Sequence, residues 1–418
     1  MNKKKILFIS PFYPDNNKSP RHRAIFNHTQ YFLKKNYDIT FIYLSNKDVK
    51  LNLDFEFIRL DLPSMIEVLR NIFFNIIFLR KISLQNCLFY SSSISSYLKK
   101  INSNKKYDLI FFESIRTVTY HKIFDSSYKI LDLGDLISRR YKLLRKSNIQ
   151  VNNVLGQFSR NNLILDIILN NYLIQKIVLF VEEKLVSNME IKSTKSFDSI
   201  ILVSKYEHSF LSKYSNKNNI HWIPNINSSK SITNPHFTPN KSIVFYGILD
   251  NPHNEHALIY FFKNIFDQIL KIDENIQFKI VGKNPTKKII QYANQFSDNV
   301  SLEGYVENIE KFVKKSNLLI LPIMAGSGVK TKVLDCINWG VPIVSSLEGV
   351  SGMINIEESG ILISKDIDDF VKKSLKIINN KSFAENCTKK SFNYYKKNYS
   401  NDSIESNYDS MLILDNEL

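Results

Sequence analysis

The chain has 418 residues, of which 44% are hydrophobic and 23% are charged, and its formal net charge is +16 at pH 7. This composition excludes a disordered chain, and the length favours two domains over a single core. The lysines are scattered, and no helix-turn-helix, zinc-finger or aromatic RNA-binding motif accompanies them, so the charge does not predict a nucleic acid partner.

The N-terminus passes directly from a short run of lysines into an apolar strand, Ile6–Ser10. No apolar run of signal-peptide length follows the lysines. The three cysteines, Cys87, Cys336 and Cys387, have neither metal-ligand nor disulfide spacing. Both features suit a reducing compartment, so we expect a cytoplasmic protein.

Apolar strand segments alternate with helical patterns along the whole chain, which is typical of parallel sheets. A helix over about Arg23–Lys35 separates the first two predicted strands. The strands predicted for a first domain are Ile6–Ser10, Ile39–Leu44, Leu109–Phe112, Tyr128–Leu133 and Ile200–Val203. Those predicted for a second domain are Ile243–Tyr246, Phe278–Val281, Val300–Leu302, Leu318–Leu321 and Ile343–Ser345.

Two apolar segments lie in the first half of the chain. Leu62–Ile82 is interrupted by Arg70, Arg80 and Lys81, which makes it too charged and too broken to span a bilayer. It is either an interfacial helix with its basic residues on lipid phosphates or a buried helix of the first domain. Leu163–Val181, also interrupted by polar residues, is expected to be a packing helix.

The sequence Gly326-Ser-Gly-Val-Lys-Thr-Lys-Val-Leu-Asp335 follows a predicted buried strand and enters a helix that should begin at about Val329. A Gly-Ser-Gly turn frees backbone N–H groups to approach an anion, and the positive end of the helix faces the same point. Lys330 and Lys332 add full charges, and Asp335 is within reach of a hydroxyl group. Gly340, in the place of a helix C-cap, precedes a strand led by Pro342.

These segments resemble the donor-nucleotide site of the family-4 glycosyltransferases, retaining GT-B enzymes that use nucleotide sugars. The family writes this element roughly as Gly-x-Gly-x-(Arg/Lys)-x-Lys-(Ile/Val)-Leu-Glu, followed by Gly-x-Pro-Val-Val. The resemblance extends to Lys4–Pro14, Phe197–Ser204, Ile223–Asn225 and Ser242–Gly247. It implies an α/β fold of two Rossmann-like, doubly wound domains facing across a cleft. Residues 1–225 would bind the acceptor, residues 226–399 would bind the donor, and residues 400–418 would cross back to the first domain. The linker is predicted over Pro224–Asn240.

On the donor side, the resemblance places Lys330 and Lys332 on the diphosphate, where they stabilise the leaving group. Because the two residues are two apart on a helix they do not share one face, and Lys330 matches the family better. Asp335 takes the place of a glutamate that binds the ribose, whereas the family's other glutamate is replaced by Ser327. Further donor contacts are expected from the backbone of Gly326, Ser327, Gly328 and Val329, from the Ser327 hydroxyl, or from another residue. Gly247 and Asn254 follow the strand along which the diphosphate should pass.

In the first domain the family's sugar-contacting histidine is replaced by Gly134. Asp132 and Asp135 remain at the end of this strand, where α/β sheets place ligands. Asp135 either serves catalysis, by orienting the acceptor hydroxyl or offsetting oxocarbenium charge, or caps the helix that follows. Arg21, His22 and Arg23, in the place of a glycine-rich acceptor loop, suggest an anionic acceptor such as a lipid diphosphate.

The expected activity is therefore the metal-independent transfer of a sugar, with retention, from a nucleotide sugar to a glycan or lipid-linked acceptor. No cofactor is expected, because the nucleotide sugar is a substrate and the nearest candidates for a metal motif, Asp132 and Asp135, are spaced Asp-x-x-Asp rather than Asp-x-Asp. The expected role is surface polysaccharide biosynthesis at the inner face of a bacterial membrane, with possible peripheral contact. Two alternatives stay open, a sugar-nucleotide epimerase and a non-catalytic GT-B-like partner of another glycosyltransferase.

Overall fold

A computed structural model describes residues 3–16, 18–49, 53–78, 82–146, 172–225, 240–324 and 329–413. The chain divides into two compact units. The first contains Met1–Pro224 together with Glu405–Leu418, and the second contains Asn225–Ile404. The predicted linker lies almost wholly outside the described residues.

The first unit is built on a parallel sheet of seven strands in the order β3-β2-β1-β4-β5-β6-β7. The central strands are buried along nearly their whole length, which parallel sheets require when helices cover both faces. Its strands are β1 (Lys5–Ser10), β2 (Asp38–Leu44), β3 (Glu56–Leu60), β4 (Leu109–Glu113), β5 (Tyr128–Gly134), β6 (Ser199–Leu202) and β7 (Ile220–Trp222).

Aromatic side chains in register hold the middle of this sheet together. Phe8 on β1 is paired with Phe41 on β2 and with Phe111 on β4. Its ring stacks on both neighbours, with centroid separations of 5.5 and 4.7 Å. Stacked rings of this kind add specific packing energy to the burial of a large apolar area, so they fix the register of the three strands.

The helices of the first unit connect these strands and cover the sheet. A nine-residue 3₁₀ segment, Ile115–Ile123, follows β4, and a π-helical turn, Phe73–Phe78, extends α2. The α-helices are α1 (Pro20–Lys34), α2 (Met65–Ile72), α3 (Leu84–Cys87), α4 (Ser92–Asn104), α5 (Ile137–Lys146), α6 (Tyr172–Ser196) and α7 (Lys205–Ser212).

The second unit has a parallel sheet of six strands in the order β10-β9-β8-β11-β12-β13. Its strands are β8 (Ser242–Tyr246), β9 (Gln277–Val281), β10 (Val300–Gly304), β11 (Leu318–Leu321), β12 (Ile343–Ser345) and β13 (Leu362–Ile363). Its helices are α8 (Pro252–Phe261), α9 (Asp267–Ile272), α10 (Lys287–Gln295), α11 (Ile309–Val313), α12 (Thr331–Trp339), α13 (Ile367–Asn379) and α14 (Lys381–Asn398). A last helix, α15 (Asn401–Ile413), enters the first unit at residue 405.

Both strand orders are those of a doubly wound Rossmann-like sheet, in which the direction of winding reverses beside the first strand. All ten predicted strands are present, with ends within one residue of the prediction except at β10, which extends to Gly304. The prediction missed β3, β7 and β13, which are short and lie at the edges of the sheets. A half-covered edge strand lacks the continuous apolar run by which a central strand is recognised.

The segment 62–82 forms α2 and the π-helical turn that follows it, and residues 79–81, including Arg80 and Lys81, lie outside the described part. Val68 and Asn71 face inward, whereas Ile66, Leu69 and Phe74 are exposed. The helix is therefore packed on one side and apolar on its solvent side. Within the described ranges, no helix is both long enough and apolar enough to cross a bilayer. Of the segment 163–181, the structure describes the residues from Tyr172, which begin α6.

Candidate functional site

Each sheet places side chains capable of chemistry at the carboxyl ends of the strands beside its switch point. In the first sheet these are the ends of β1 and β4, and in the second they are the ends of β8 and β11. Open α/β sheets bind ligands at such points because the connections to either side diverge there and leave a crevice. The two groups of residues are described separately below.

The predicted anion turn lies at the carboxyl end of β11. Gly326, Ser327 and Gly328 are outside the described residues, and Val329 is described as the half-buried residue before the helix. The helix starts at Thr331 with Lys330 as its N-cap, two residues later than predicted. It ends at Gly340, whose φ of 74° places it in the left-handed region, and the Val341 N–H donates to the Cys336 carbonyl. This is the glycine C-cap that the sequence predicted.

Lys332 lies in the first turn of α12 and reaches toward the end of β8. Its Nζ donates to the Tyr246 carbonyl at 2.7 Å and to Asn254 Oδ1 at 3.0 Å. It also lies 4.3 Å from the centroid of the Phe245 ring. Burial, helped by the nearby charge of Lys330, lowers the pKa of Lys332 to about 7. The neutral amine present at this pKa is therefore poised to gain a proton when an anion binds.

Two glycines make room for this lysine. A Cβ on Gly247 would lie 2.7 Å from Asn254 Nδ2 and 3.2 Å from Lys332 Nζ. A Cβ on Gly282, at the end of the neighbouring strand β9, would overlap the Gly247 carbonyl oxygen. The loops after β8 and β9 therefore approach each other at backbone distance, and Gly247, Asn254 and Lys332 form one contiguous surface, which we call the lysine site.

Asp335 lies one turn after Lys332 on the same helix. It accepts a long hydrogen bond, 3.4 Å, from the Tyr246 hydroxyl, which also donates to the Lys332 carbonyl at 3.2 Å. Burial, followed by the charges of Cys336 and Asp335, raises the pKa of Tyr246 far above its ordinary value, so this hydroxyl stays protonated and donates. Tyr246 thus ties the end of β8 to the helix that carries Lys332 and Asp335.

Lys330 points to a different neighbour. Its Nζ donates to Ser351 Oγ at 3.3 Å, beyond the end of β12. The two lysines predicted to act together thus have different surroundings, and Lys332, rather than Lys330, contacts Asn254 and the backbone beside Gly247. Ser351 was not identified from the sequence, because a serine in a loop carries no signal of its own.

At the switch point of the first sheet, Arg21 lies between two buried carboxylates. Arg21 Nε forms an ion pair with Glu113, the last residue of β4. Its Nη2 lies 3.1 Å from Asp132 Oδ2 and 3.1 Å from the Asp132 carbonyl oxygen. Ser10, at the end of β1, donates to Glu113 at 3.3 Å. Arg21 was predicted to meet an anionic acceptor, and in this structure its guanidinium contacts carboxylates of its own domain.

Gly134 explains how Arg21 fits there. It has a φ of 68°, a left-handed conformation that glycine adopts without strain. A Cβ on Gly134 would overlap the Arg21 guanidinium. The sequence identified Gly134 as the position where the resembling family carries a histidine. In this chain the space beside residue 134 is filled by the side chain of Arg21.

A buried histidine, His28, completes the network from the next turns of α1. Its Nε2 lies 2.9 Å from Asp132 Oδ2, and its Nδ1 is hydrogen-bonded to the Tyr408 hydroxyl of α15. Burial would raise the pKa of Asp132, but the charge of Arg21 and the contact with His28 outweigh it, and the pKa is lowered. Sequence reasoning missed His28, although seven residues separate it from Arg21 and this spacing places both on one helix face.

Asp135 follows β5 and is paired with Arg140. Burial opposes ionisation, but Arg140, Arg21 and Arg116 together lower its pKa, so it is a carboxylate at neutral pH. The alternative role for Asp135 was to cap α5, which begins at Ile137, directly after Leu136. In the first turn of this helix, the Ser138 N–H donates to the buried Glu190 at 3.2 Å, and the Ser138 hydroxyl donates to the same carboxyl group. Glu190, rather than Asp135, therefore binds this end of the helix.

A further carboxylate, Glu207, lies close to Asp135. Burial, together with the negative charge of Asp135, raises the pKa of Glu207 to about 8. The Leu136 backbone N–H and the charge of Arg139 act in the opposite direction and are outweighed. The pKa of Glu190 is raised by burial to about 7. We call Glu113, Asp132, Asp135, Glu190 and Glu207 the acidic cluster; Glu113 was missed from the sequence because a single carboxylate after an apolar strand is a weak signal.

His22 and Arg23 turn away from Arg21. His22 Nδ1 lies 2.8 Å from Ser19 Oγ, and its ring contacts the rings of Phe12 and Tyr13. Burial and Lys18 lower the pKa of His22. Arg23 is half-buried, and its Nε has no hydrogen-bond partner among the described residues. The three residues predicted to bind the acceptor thus do not form one surface, and their role in acceptor binding stays a prediction.

The sequence model of the family described as Glycosyl transferases group 1 matches residues 240–380, which include the whole lysine site. Solved structures align over nearly the full chain. TarM of S. aureus covers 98% of this chain and 99% of its own, with a TM-score of 0.64 and 12% identity. The alignment with HepE of Anabaena in complex with UDP covers 99% of this chain and 100% of HepE, with a TM-score of 0.63 and 10% identity.

The fold is GT-B. The matched second domain and this fold together support a GT-B glycosyltransferase. The same fold also occurs in a protein of Listeria monocytogenes assigned as a UDP-N-acetylglucosamine 2-epimerase. That alignment covers 97% of this chain and 94% of the other, with a TM-score of 0.53 and 10% identity. At such identities the likeness establishes the fold and not the reaction.

A curated relative comes from Klebsiella pneumoniae, an uncharacterized protein of the cps region. It is 25% identical over 323 residues, which cover 74% of this chain and 76% of the relative. The alignment is too long to reflect the second domain alone, because that domain has fewer than 200 residues. The similarity to this relative therefore extends into the first domain.

Proposed function

We propose that the protein is a retaining, metal-independent glycosyltransferase that moves a sugar from a nucleotide-sugar donor to a glycan or lipid-linked acceptor. The observation that carries the proposal is the lysine site, where a buried ammonium group lies at a sheet switch point within the glycosyltransferase group 1 match. Such a site suits a diphosphate, which is anionic, because anions bind at helix N-termini and beside fixed positive charge.

The proposed donor mode places the diphosphate on Lys332 and Lys330. As the bond between sugar and diphosphate breaks, negative charge grows on the leaving oxygen, and a cation already in position stabilises it without reorganisation. Lys332 would become this cation when the donor binds, since the dianionic diphosphate raises the pKa of about 7 that the lysine has in the free protein. Asp335 would accept hydrogen bonds from ribose hydroxyls, and Gly326 to Val329 would offer backbone N–H groups.

The acidic cluster supplies the complementary charge in the proposed mechanism. Asp135 is an ionised, half-buried carboxylate at the carboxyl end of β5. A carboxylate there suits either the orientation of an acceptor hydroxyl or the stabilisation of oxocarbenium character in the transferred sugar. Arg21 holds Glu113 and Asp132 in place, so we assign it a positioning role. Retention of configuration is proposed from the family resemblance.

The acceptor is proposed to be a precursor of a surface polysaccharide. The support is the relative from a cps region. HepE and TarM were each crystallised with UDP, so UDP-sugars should head any donor screen.

Contact with the inner face of a bacterial membrane is proposed from α2, on which Ile66 is 81% exposed and Leu69 57% exposed. Apolar side chains of this kind bury themselves at a lipid interface, and basic neighbours such as Arg70 favour anionic lipids. Liposome flotation tests the contact. Wild type should float with anionic vesicles, and Ile66→Ser/Leu69→Ser should not, whereas the matched variant Leu173→Ser/Ile177→Ser on α6 should float like wild type. Flotation of all three alike, or of none, would remove the membrane proposal and leave the enzyme proposal standing.

Product analysis with a panel of UDP-, GDP- and ADP-sugars tests the activity. The proposal expects a glycoside with the anomeric configuration of the donor, formed equally well with and without EDTA. A free epimerised sugar nucleotide would favour the epimerase, whose fold this chain shares. Absence of both products and of nucleotide-sugar binding would favour a non-catalytic partner, which the replacements at Gly134 and Ser327 make a serious alternative.

A further inference from the structure

The first domain contains a cavity of about 630 Å³ that the proposed function does not use. It lies between the last two turns of α6, the 3₁₀ segment Ile115–Ile123 and the stretch from Asn75 to Tyr90. Its volume is within the usual range of about 300–1,000 Å³ for small-molecule sites. We call it the α6 cavity.

The α6 cavity is separate in its lining from the proposed acceptor site. Ser196 lines it and lies three residues before β6 begins, and Lys122 lines it and lies six residues before β5 begins. Glu113 and Asp135, by contrast, lie at the carboxyl ends of β4 and β5. No residue of the acidic cluster lines the α6 cavity.

The lining combines an apolar floor with basic groups. Ile82, Val118 and Met189 contribute apolar surface, and Val118 and Met189 are each 8% exposed. Lys122, Lys192 and Lys195 contribute three exposed ammonium groups, and none of the three forms an ion pair within the described chain. No lining residue is acidic. Positive charge beside an apolar hollow is complementary to a molecule with an anionic head and a hydrocarbon tail.

The environment of a further lining residue, His121, agrees with this excess of positive charge. Burial lowers the pKa of His121, and the charges of Lys129 and Lys122 lower it further.

We propose that the α6 cavity binds one anionic amphiphile, a molecule with a phosphate-type head and a hydrocarbon chain. The head lies against Lys122, Lys192 and Lys195, and the chain covers Val118 and Met189. This is binding of a single molecule in a defined hollow, distinct from the adsorption of α2 to a lipid surface. It does not depend on glycosyl transfer, and it can be tested by binding alone.

The test is calorimetric titration of the full chain with decyl phosphate, kept below its micelle concentration. We expect saturable binding of one molecule per chain. Decanol lacks the anion and inorganic phosphate lacks the chain, so each should bind at least tenfold more weakly, a difference of about 1.4 kcal/mol. Equal binding of decanol would overturn the role of the lysines, and equal binding of phosphate would replace the proposal by a simple anion site.

Two matched triple variants test whether decyl phosphate binds in the α6 cavity. Lys122→Gln/Lys192→Gln/Lys195→Gln should weaken decyl phosphate binding about tenfold or more, because charge-assisted contacts are lost. Lys99→Gln/Lys100→Gln/Lys213→Gln removes the same charge from exposed positions of the same domain and should leave binding unchanged. Equal affinity in both variants, or an equal loss in both, would overturn the proposal.

Discussion

The two domains share one strand order but place different ionisable groups, carboxyl groups in one and a lysine in the other, at the point where that order reverses. In the first sheet the strand ends carry the acidic cluster, with Arg21 set among carboxylates. In the second sheet the corresponding position carries Lys332, whose hydrogen-bond partners are a carbonyl and an amide oxygen. Burial disfavours the charged form at both positions. It raises the pKa of carboxylic acids such as Glu207 and lowers the pKa of Lys332.

The comparison teaches that the scaffold determines where a site lies and the side chains determine what it binds. A Rossmann-like sheet supplies the same crevice twice. A buried lysine without a carboxylate partner favours an anion, as a diphosphate donor would require. A buried group of carboxylates favours hydroxyl groups or developing positive charge. We infer a division of labour between the domains, and the predictions below test it from the largest expected effect to the smallest.

The largest effect is expected at the two lysines. Lys332→Ala and Lys330→Ala should each lower kcat/KM, with Lys332 the more severe, because it contacts the loop after β8. Loss of one charged donor to a leaving group costs about 3–4 kcal/mol, or about 10²–10³ in rate. Lys287→Ala, an exposed lysine at the start of α10, is the matched control. Steady-state kinetics that leave both site variants near wild type would show that the diphosphate is held elsewhere.

A smaller but substantial effect is expected on the stability of the first domain when Arg21 is changed. Arg21→Met leaves Glu113 and Asp132 without their cation. Removal of one partner from a buried pair costs about 3 kcal/mol, and somewhat less here because the Arg21 side chain is 23% exposed. Urea unfolding followed by Trp222 fluorescence, in a Trp339→Phe background, reports on this domain alone. Arg21→Met/Glu113→Gln should recover part of the loss, and no recovery would show that the pair is not coupled.

Gly134→Ala should cost about 1–2 kcal/mol, since alanine is strained at this φ and its Cβ displaces Arg21. In the Arg21→Met background the space is free, so the same substitution should cost only the backbone strain. The difference between the two costs measures how firmly Arg21 occupies the position. Equal costs in both backgrounds would mean that Arg21 does not fill this space in solution.

The smallest effects are opposite responses of the two domains to pH. Glu207, with a pKa of about 8, binds its proton more tightly in the folded state than in the unfolded chain. Its contribution to stability is complete at low pH and is lost as the pH rises through about 8. Lys332 has a depressed pKa of about 7, so the unfolded chain binds the extra proton and the second domain gains stability between about pH 7 and 10.

Single-tryptophan proteins separate these responses, because Trp222 lies in the first domain and Trp339 in the second. In the protein that retains only Trp222, Glu207→Gln should flatten the fall in the free energy of unfolding between pH 5 and 8. In the protein that retains only Trp339, Lys332→Met should flatten the rise in the free energy of unfolding above pH 7. Slopes of the same sign in both domains would contradict the electrostatic contrast between them.

The central strands and the glycine C-cap at Gly340 were predictable, because continuous apolar runs and a glycine between a helix and a Pro-led strand are local signals. The neighbours of Lys332 were not. Tyr246 and Asn254 lie 86 and 78 residues away in sequence, and only the pairing of β8 with β11 brings them together. The same holds for Arg21, whose partners Glu113 and Asp132 are 92 and 111 residues distant. The resemblance predicts where the sites should lie, whereas long-range packing decides which side chains meet at each strand end.

The most direct test of the division of labour is the proton balance of donor binding to the second domain. Wild type and Lys332→Met are titrated calorimetrically with UDP and the UDP-sugar that binds best, at pH 8, in two buffers of different ionisation enthalpy. The account predicts uptake of a large fraction of one proton by wild type, because the diphosphate raises the pKa of Lys332, and weaker binding with no uptake by Lys332→Met. Tight binding without proton uptake in wild type, or the same uptake in both proteins, would contradict it.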